Sequence, residues 1–295
     1  MIRRWLNFAA WFCCVAAIHA SDAAWQPTTW NGERALVSTA QGWKAIVSLE
    51  RGRLMHFGPA DADVNLLLAS PTRGNRNILG GHRLWLGPQA MWAQGWPPPA
   101  AWEYSGPESF TATGGVLRLL MPDAGDGWPR LTRTYRWDGA KLVCGAEFSG
   151  GTRPAQFVQI FQVPTQTIVA VHAQPEEKFP AGYVQLPSAG GPFAIKFAPT
   201  PQVTRTGDDL ALRHTDAIVK LGFRPQTLTG RAGDFTLLVS RGAQHGTVAG
   251  EPDRGFFTQV YLGGRESLIE MEQLSPIFPA GAPAAFEVVL AGRRP

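Results

Sequence analysis

Between residues 44 and 290 no window carries an apolar stripe of period 3.6 over three turns. The chain instead repeats a short run rich in β-branched or aromatic residues and bounded by Gly, Pro or Asp. Such runs occupy 44–49, 53–57, 64–69, 109–113, 116–121, 131–137, 141–148, 156–163 and 167–172. Others follow at 193–197, 209–214, 217–223, 235–239, 258–262, 267–274 and 285–290. The 33 glycines and 24 prolines favour many turns over long helices. Gly114-Gly115 and Asp138-Gly139 each separate two such runs, the two-residue signal of a β-hairpin. With no repeat, low-complexity tract or linker to divide them, these strands predict an all-β fold. It is a large antiparallel β-sandwich filling one domain over 24–295. A sheet of this size curls, and its concave face suits a ligand.

The first 23 residues read as a secretory signal peptide. Met1-Ile2-Arg3-Arg4 is basic, 5–18 is mostly apolar, and small residues surround a cleavage point near 20–24. The apolar run is short for a membrane span of about 20 residues, so no stable membrane insertion is expected after cleavage. The mature protein is expected in the periplasm or outside the cell. Cys13 and Cys14 leave with the leader, and Cys144, alternating with Leu142 and Phe148, reads as a buried apolar residue. Loss of Arg3, Arg4 and Asp22 takes the formal charge from +4 to +3. The remaining basic residues are scattered, which excludes a nucleic-acid partner.

One stretch stands apart: LGGHRLWLGPQAMWAQGWPPPAAWEY, residues 79–104. Gly80-Gly81 suits a tight turn or close backbone approach, and three consecutive prolines forbid a regular helix through 97–99. A short strand feeding a stiff aromatic loop is expected. Indole faces beside a His, an Arg and Glu103 suit a sugar, whose apolar face stacks while its hydroxyls take fixed polar partners. The candidate carbohydrate-binding residues here are His82, Arg83, Trp85, Trp92, Trp96 and Trp102; the alternative is that the rings close one end of a core.

A second stretch, SLIEMEQL at 267–274, alternates so that Glu270 and Glu272 share one strand face with Leu268 and Leu274. Their positions lie about 7 Å apart along the strand. Carboxylates on a partly apolar face hold protons more tightly, as acid–base chemistry near neutral pH requires. The alternative is that both face water. Asp61, Asp63 and Asn65 open like a calcium loop, but Leu66 stands where glycine is needed and Thr72 where an acid should close it. No Cys/His spacing, P-loop or dinucleotide fingerprint is present, so no metal or cofactor is expected.

Together, Gly52-Arg53-Leu54, the Asn65 and Asn77 segments, GGHRLWLGP and IEMEQLSPIFPAG resemble the galactose mutarotase-like superfamily of β-supersandwiches. More specifically, the chain looks like a branch described mainly as a domain of unknown function. The resemblance spans about 43–290. In aldose epimerases of that superfamily a late-strand Glu takes the anomeric proton, a central-strand His protonates the ring oxygen, and Arg and a second His hold the sugar. The resemblance implies Glu272 as base, Glu270 as the next choice, and Arg83 with His82 as holders. The central strand, QFVQIFQ at 156–162, has no His. His172, one strand later, is the candidate acid, and Gln159 a hydrogen-bonding group. The resulting expectation is an exported carbohydrate-binding protein. The alternatives are an aldose 1-epimerase-like isomerase, and a non-catalytic sandwich whose tryptophans meet a protein partner.

Overall fold

The computed structural model describes residues 23–69, 80–92, 98–187 and 195–294. The expected leader (apart from Ala23), Asn77 and Trp96 lie outside them. The described strands form three antiparallel sheets. The six-stranded sheet runs Val184–Leu186, Ile218–Phe223, Thr258–Gly263, Ile269–Leu274, Gln156–Val163, His82–Gly87. The ten-stranded sheet extends from an edge at Val203–Thr206 to the opposite edge at Ser109–Thr113. A four-stranded sheet is built in chain order from Gln26–Trp30, Glu33–Ala40, Trp43–Ser48 and Arg53–Pro59.

Alternation explains how the two large sheets meet. Phe157, Phe161, Met271 and Ile269 lie on one face of the six-stranded sheet and are fully buried. Phe157 packs on Phe148 and Phe286 of the ten-stranded sheet, ring centroids 4.7 and 6.4 Å away. Each such ring, fully buried, contributes about 1.5–3 kcal/mol. The four-stranded sheet joins the same core, with Trp43 stacked on Phe57 at 5.5 Å and Phe57 against Trp137 at 6.2 Å.

The hairpin at Gly114-Gly115 forms as expected, with φ of 56° and 73°, values that glycine adopts at no steric cost. In the next hairpin Asp138 pairs with Lys141, so the turn is Gly139-Ala140, one residue later than expected. The strand Thr227–Ala232 escapes the alternation pattern because Gly230 interrupts it. A Cβ there would sit 3.2 Å from Thr167 Cγ2 and 3.3 Å from Met271 Sδ, so the glycine marks a close approach. Residues 64–69, expected as a strand, bury Leu66 and Leu67 but are irregular. Asn65 Oδ1 accepts from the Phe57 and Leu67 amides, both at 3.1 Å, and Asp61 is bound to Arg294 at 2.6 Å. The segment that opens like a calcium loop is thus a local brace.

Candidate functional site

The strand His82–Gly87 starts from Gly80 and Gly81, with φ of 70° and 71°. A Cβ on Gly81 would lie 2.2 Å from the Leu54 carbonyl oxygen, a main-chain atom that cannot swing aside. Gly81→Ala is expected to cost about 2 kcal/mol, seen as a lower urea midpoint. An unchanged midpoint would show that the neighbouring strand yields.

Register sets what this strand presents. Arg83 pairs with Ile160, Ile160 with Glu272, and Gln162 with Glu270. On the next strand Gln259 stands opposite Glu272 and Tyr261 opposite Glu270; Lys220 stands opposite Tyr261. Directly opposed residues share a face, so Arg83, Gln162, Lys220, Gln259, Tyr261, Glu270 and Glu272 all project from the face turned away from the ten-stranded sheet.

Two ion pairs organise that face. Arg83 Nη1 donates to Glu270 Oε1 at 2.9 Å, and Gln162 Nε2 donates to the same oxygen at 2.9 Å. Lys220 Nζ donates to Glu272 Oε2 at 2.9 Å. Behind them, Arg83 Nη2 lies 2.8 Å from Glu103 Oε1, and Glu103 Oε2 lies 3.5 Å from Arg53 Nη2 and accepts from Trp85 Nε1 at 2.6 Å. Glu103 closes the short helix Ala100–Glu103, which begins directly after the prolines. Arg53 also donates to the Glu103 main-chain carbonyl. Arg133 donates to the carbonyls of His82, Leu84 and Trp102.

The electrostatics follow from burial. Burial alone would raise the Glu103 carboxyl, but the Arg83 and Arg53 guanidiniums outweigh it and hold the group below its usual value. Burial pulls Arg53 down to about 10 despite Glu103. Burial raises Glu272; Lys220 opposes this, and the Glu270 and Asp253 charges add to it. Burial would lower Lys220, but Glu272 beside it keeps it raised and protonated. Gln162 Oε1 and Gln259 Oε1 are buried acceptors in this array with no hydrogen-bond partner among the described residues.

Comparison with solved structures resolves the architecture. Galactose 1-epimerase from Lactobacillus acidophilus NCFM superposes with a TM-score of 0.54 at 12% identity, over 90% of this chain and 97% of that one. A galactose mutarotase related enzyme from Lactobacillus acidophilus gives 0.56 at 9% identity, over 88% and 97%. The chain has the galactose mutarotase-like fold. At such identities the likeness carries the fold alone. No protein-family model matches the sequence, and no curated protein matches it.

Within the mutarotase-like sandwich the expected site residues divide. Arg83, Glu270 and Glu272 come together on the outer face. Trp85 joins them, its ring 4.5 Å from the Arg83 guanidinium carbon, and Trp92 packs edge-on against Trp85 at 5.4 Å. Trp85, Trp92 and Trp102 are buried; Trp102 packs on Trp128 at 5.2 Å. Trp85, Trp92 and Trp102 thus close the core behind Arg83; these three form no open wall for a sugar and no flat patch for a protein. His82, expected to hold substrate, has the opposite parity to Arg83, stacks on Phe161 at 4.3 Å and points into the core. Gln159 likewise turns inward, donating to the Phe286 carbonyl at 3.1 Å. His172 lies in the ten-stranded sheet, exposed and bonded to Asp209 at 3.0 Å, remote from the array. It cannot serve as the acid opposite Glu272. Ile160, directly opposite Glu272 on the central strand, carries no proton.

The residues that sequence reasoning missed are Lys220, Gln162, Gln259 and Tyr261. Their signal was alternation within their strands, which becomes decisive only once strand order is known. His245 lines an open cleft of about 740 Å³ on the ten-stranded sheet. Two arginines there, Arg118 and Arg130, are already bound by Glu147 and Glu108. Among the described residues no group of His, Cys, Asp and Glu could hold a metal ion, and no helix is long and apolar enough to cross a membrane.

Proposed function

We propose that this chain is an exported carbohydrate-binding protein whose site is the outer face of the six-stranded sheet. The observation that carries the reading is the pair of ion pairs Arg83–Glu270 and Lys220–Glu272, set side by side by five adjacent strands. Together they are neutral, which suits an uncharged ligand. They also hold fixed donors and acceptors, which suits a polyol, and Lys220, with 22% of its side chain exposed against 2% for Glu272, is where a ligand would meet them. The unpartnered amide oxygens of Gln162 and Gln259 add two acceptors for hydroxyl groups. Both solved relatives bear the names of galactose-handling enzymes, which favours a sugar over other polar ligands.

Isothermal titration of the exported protein against a panel of mono- and oligosaccharides tests this. Its mass reports whether the leader has been removed near residues 20–24. Glu272→Gln, which keeps the shape but leaves Lys220 unpaired, is expected to weaken binding by about tenfold or more. No heat with any sugar would sink the reading.

A second reading, an epimerase, is favoured by the raised proton affinity of Glu272 beside the protonated Lys220. Glu272 would take the anomeric proton, and Lys220 or Tyr261 would supply one to the ring oxygen. Burial and the Glu266 carboxylate hold the Tyr261 phenol in its protonated form. Polarimetry on a freshly dissolved anomer that binds distinguishes the readings: turnover abolished by Glu272→Gln selects the enzyme, and a rate equal to buffer selects the binder.

A further inference from the structure

The outer face continues past the charged array into a row of rings. Gly222, two residues beyond Lys220 on the same strand face, pairs with Gln259 on one side and Val184 on the other. Its missing side chain is what admits Phe256: a Cβ on Gly222 would lie 2.9 Å from Phe256 Cβ. Gln259 is tied to the same corner, donating to the Phe256 carbonyl at 2.8 Å. Phe179 then meets Phe256 edge-on at 5.2 Å, and Phe197 stacks along Phe179 at 6.2 Å and 27°. The Arg224 guanidinium lies 5.0 Å from the Phe179 ring and 5.3 Å from the Phe256 ring.

Phe197 is held in place by its backbone. Gln185 and Lys196 exchange both main-chain hydrogen bonds, at 2.8 and 3.0 Å, and Gln185 Nε2 donates to the Ala198 carbonyl at 2.8 Å. Since Lys196 shares a face with Gln185, its neighbours Ile195 and Phe197 fall on the other face. That face is shared with Val184 and Leu186, and through Leu186 with Lys220. Ile195 accordingly packs with Val184, Leu186 and Phe256. Phe197 is nevertheless 53% exposed, one of four large apolar side chains so placed among the described residues. It is an aromatic face that is fixed and open to solvent, on the same sheet face as Lys220, whose side chain is 22% exposed, while Phe256, Gln259 and Glu272 are buried beneath.

The row runs from Glu272 through Gln259 and Phe256 to Phe179 and Phe197, several side chains in length. A single sugar ring cannot touch both ends. We infer that the ligand of this site is a neutral oligosaccharide, one unit seated at Lys220 over its pair with Glu272 and a later unit stacked on Phe197. The inference rests on the sugar reading of the charged array and adds chain length to it. Stacking on the exposed ring supplies affinity that a monosaccharide cannot gain, because the C–H face of the distal unit leaves water as it covers the ring.

The test is isothermal titration of the full mature chain with glucose, galactose and mannose and with their 1,3- and 1,4-linked di-, tri- and tetrasaccharides. The tetrasaccharide of the preferred series is expected to bind about tenfold more tightly than its monosaccharide, as one favourable ring contact allows. Phe197→Ala should remove that gain and leave the monosaccharide affinity within about twofold, while Phe197→Trp should restore it. Because the side chain is half exposed, the variant should keep the wild-type circular dichroism. Equal affinity for every chain length, or a length dependence that survives Phe197→Ala, overturns this inference and leaves the sugar site standing. Absence of binding to any saccharide overturns both, and binding of Phe197 to a protein partner instead would appear as an oligomer dispersed by Phe197→Ala.

Discussion

Glu103→Ala is expected to destabilise the protein by about 3–5 kcal/mol, because it strands buried positive charge. Glu103 lies between Arg83 and Arg53, and all three side chains are 2% exposed or less. Deleting the carboxylate removes the counter-charge of Arg53, one of the two carboxylates at Arg83 (Glu270 remains) and the acceptor of Trp85 Nε1 in one step. Arg133, buried in the same region and bonded to three neutral carbonyls, adds a further positive charge there. For a domain of this size the midpoint of thermal unfolding should fall by roughly 10 °C. Glu287→Ala is the control, since its partner Arg136 is 39% exposed and such a pair is worth at most about 1 kcal/mol. Equal losses for the two variants would show that the buried triad contributes no more than a surface pair.

The second large effect is acid destabilisation. His56 is 6% exposed, its Nε2 has no hydrogen-bond partner, and burial lowers it from 6.5 to about 4, with Lys44 acting the same way. An imidazole lowered in the folded state is neutral there while the unfolded chain takes up the proton. Its contribution is therefore full above about pH 6.5 and is lost as the pH falls towards 4. At about 1.4 kcal/mol per unit, the loss by pH 4 is roughly 3 kcal/mol. His82, fully buried and also driven well down by burial, adds in the same direction. Glu103 behaves differently. Its carboxyl is lowered, so its contribution is present above the ordinary carboxylate range and fades only below it, as a separate later event. Urea titrations between pH 7 and 4 should show the slope, and His56→Gln should flatten much of it. A variant with the wild-type slope would assign the acid sensitivity elsewhere.

The fold was legible because alternation and turns are local. Ile269 and Met271 fall on the core face and Glu270 and Glu272 on the other, as their spacing alone requires. The meeting of Arg83 with the late glutamates was legible only through the resemblance, which implies both at one sugar site. Residues that depend on strand order were not legible. Lys220 lies between Val219 and Leu221 and reads as an ordinary solvent-facing lysine until its strand is placed beside Thr258–Gly263. Gln156, Gln159 and Gln162 are spaced by three, so alternation must split them, but the sequence does not say which face is which. The aromatic loop misled for a related reason. Indole faces suit a sugar and a core equally well, and only burial tells them apart.

Arg83 has one further consequence. Its guanidinium is answered by Glu103 from a segment nearby in the chain and by Glu270 from its far end. Loss of Arg83 would leave Glu270 without its arginine, and loss of Glu103 would leave Arg53 without its carboxylate, so the positions are expected to change together. Residues 83, 103 and 270 are therefore expected to behave as a single heritable character, so that a lineage that lost Arg83 would show changes in the two glutamates.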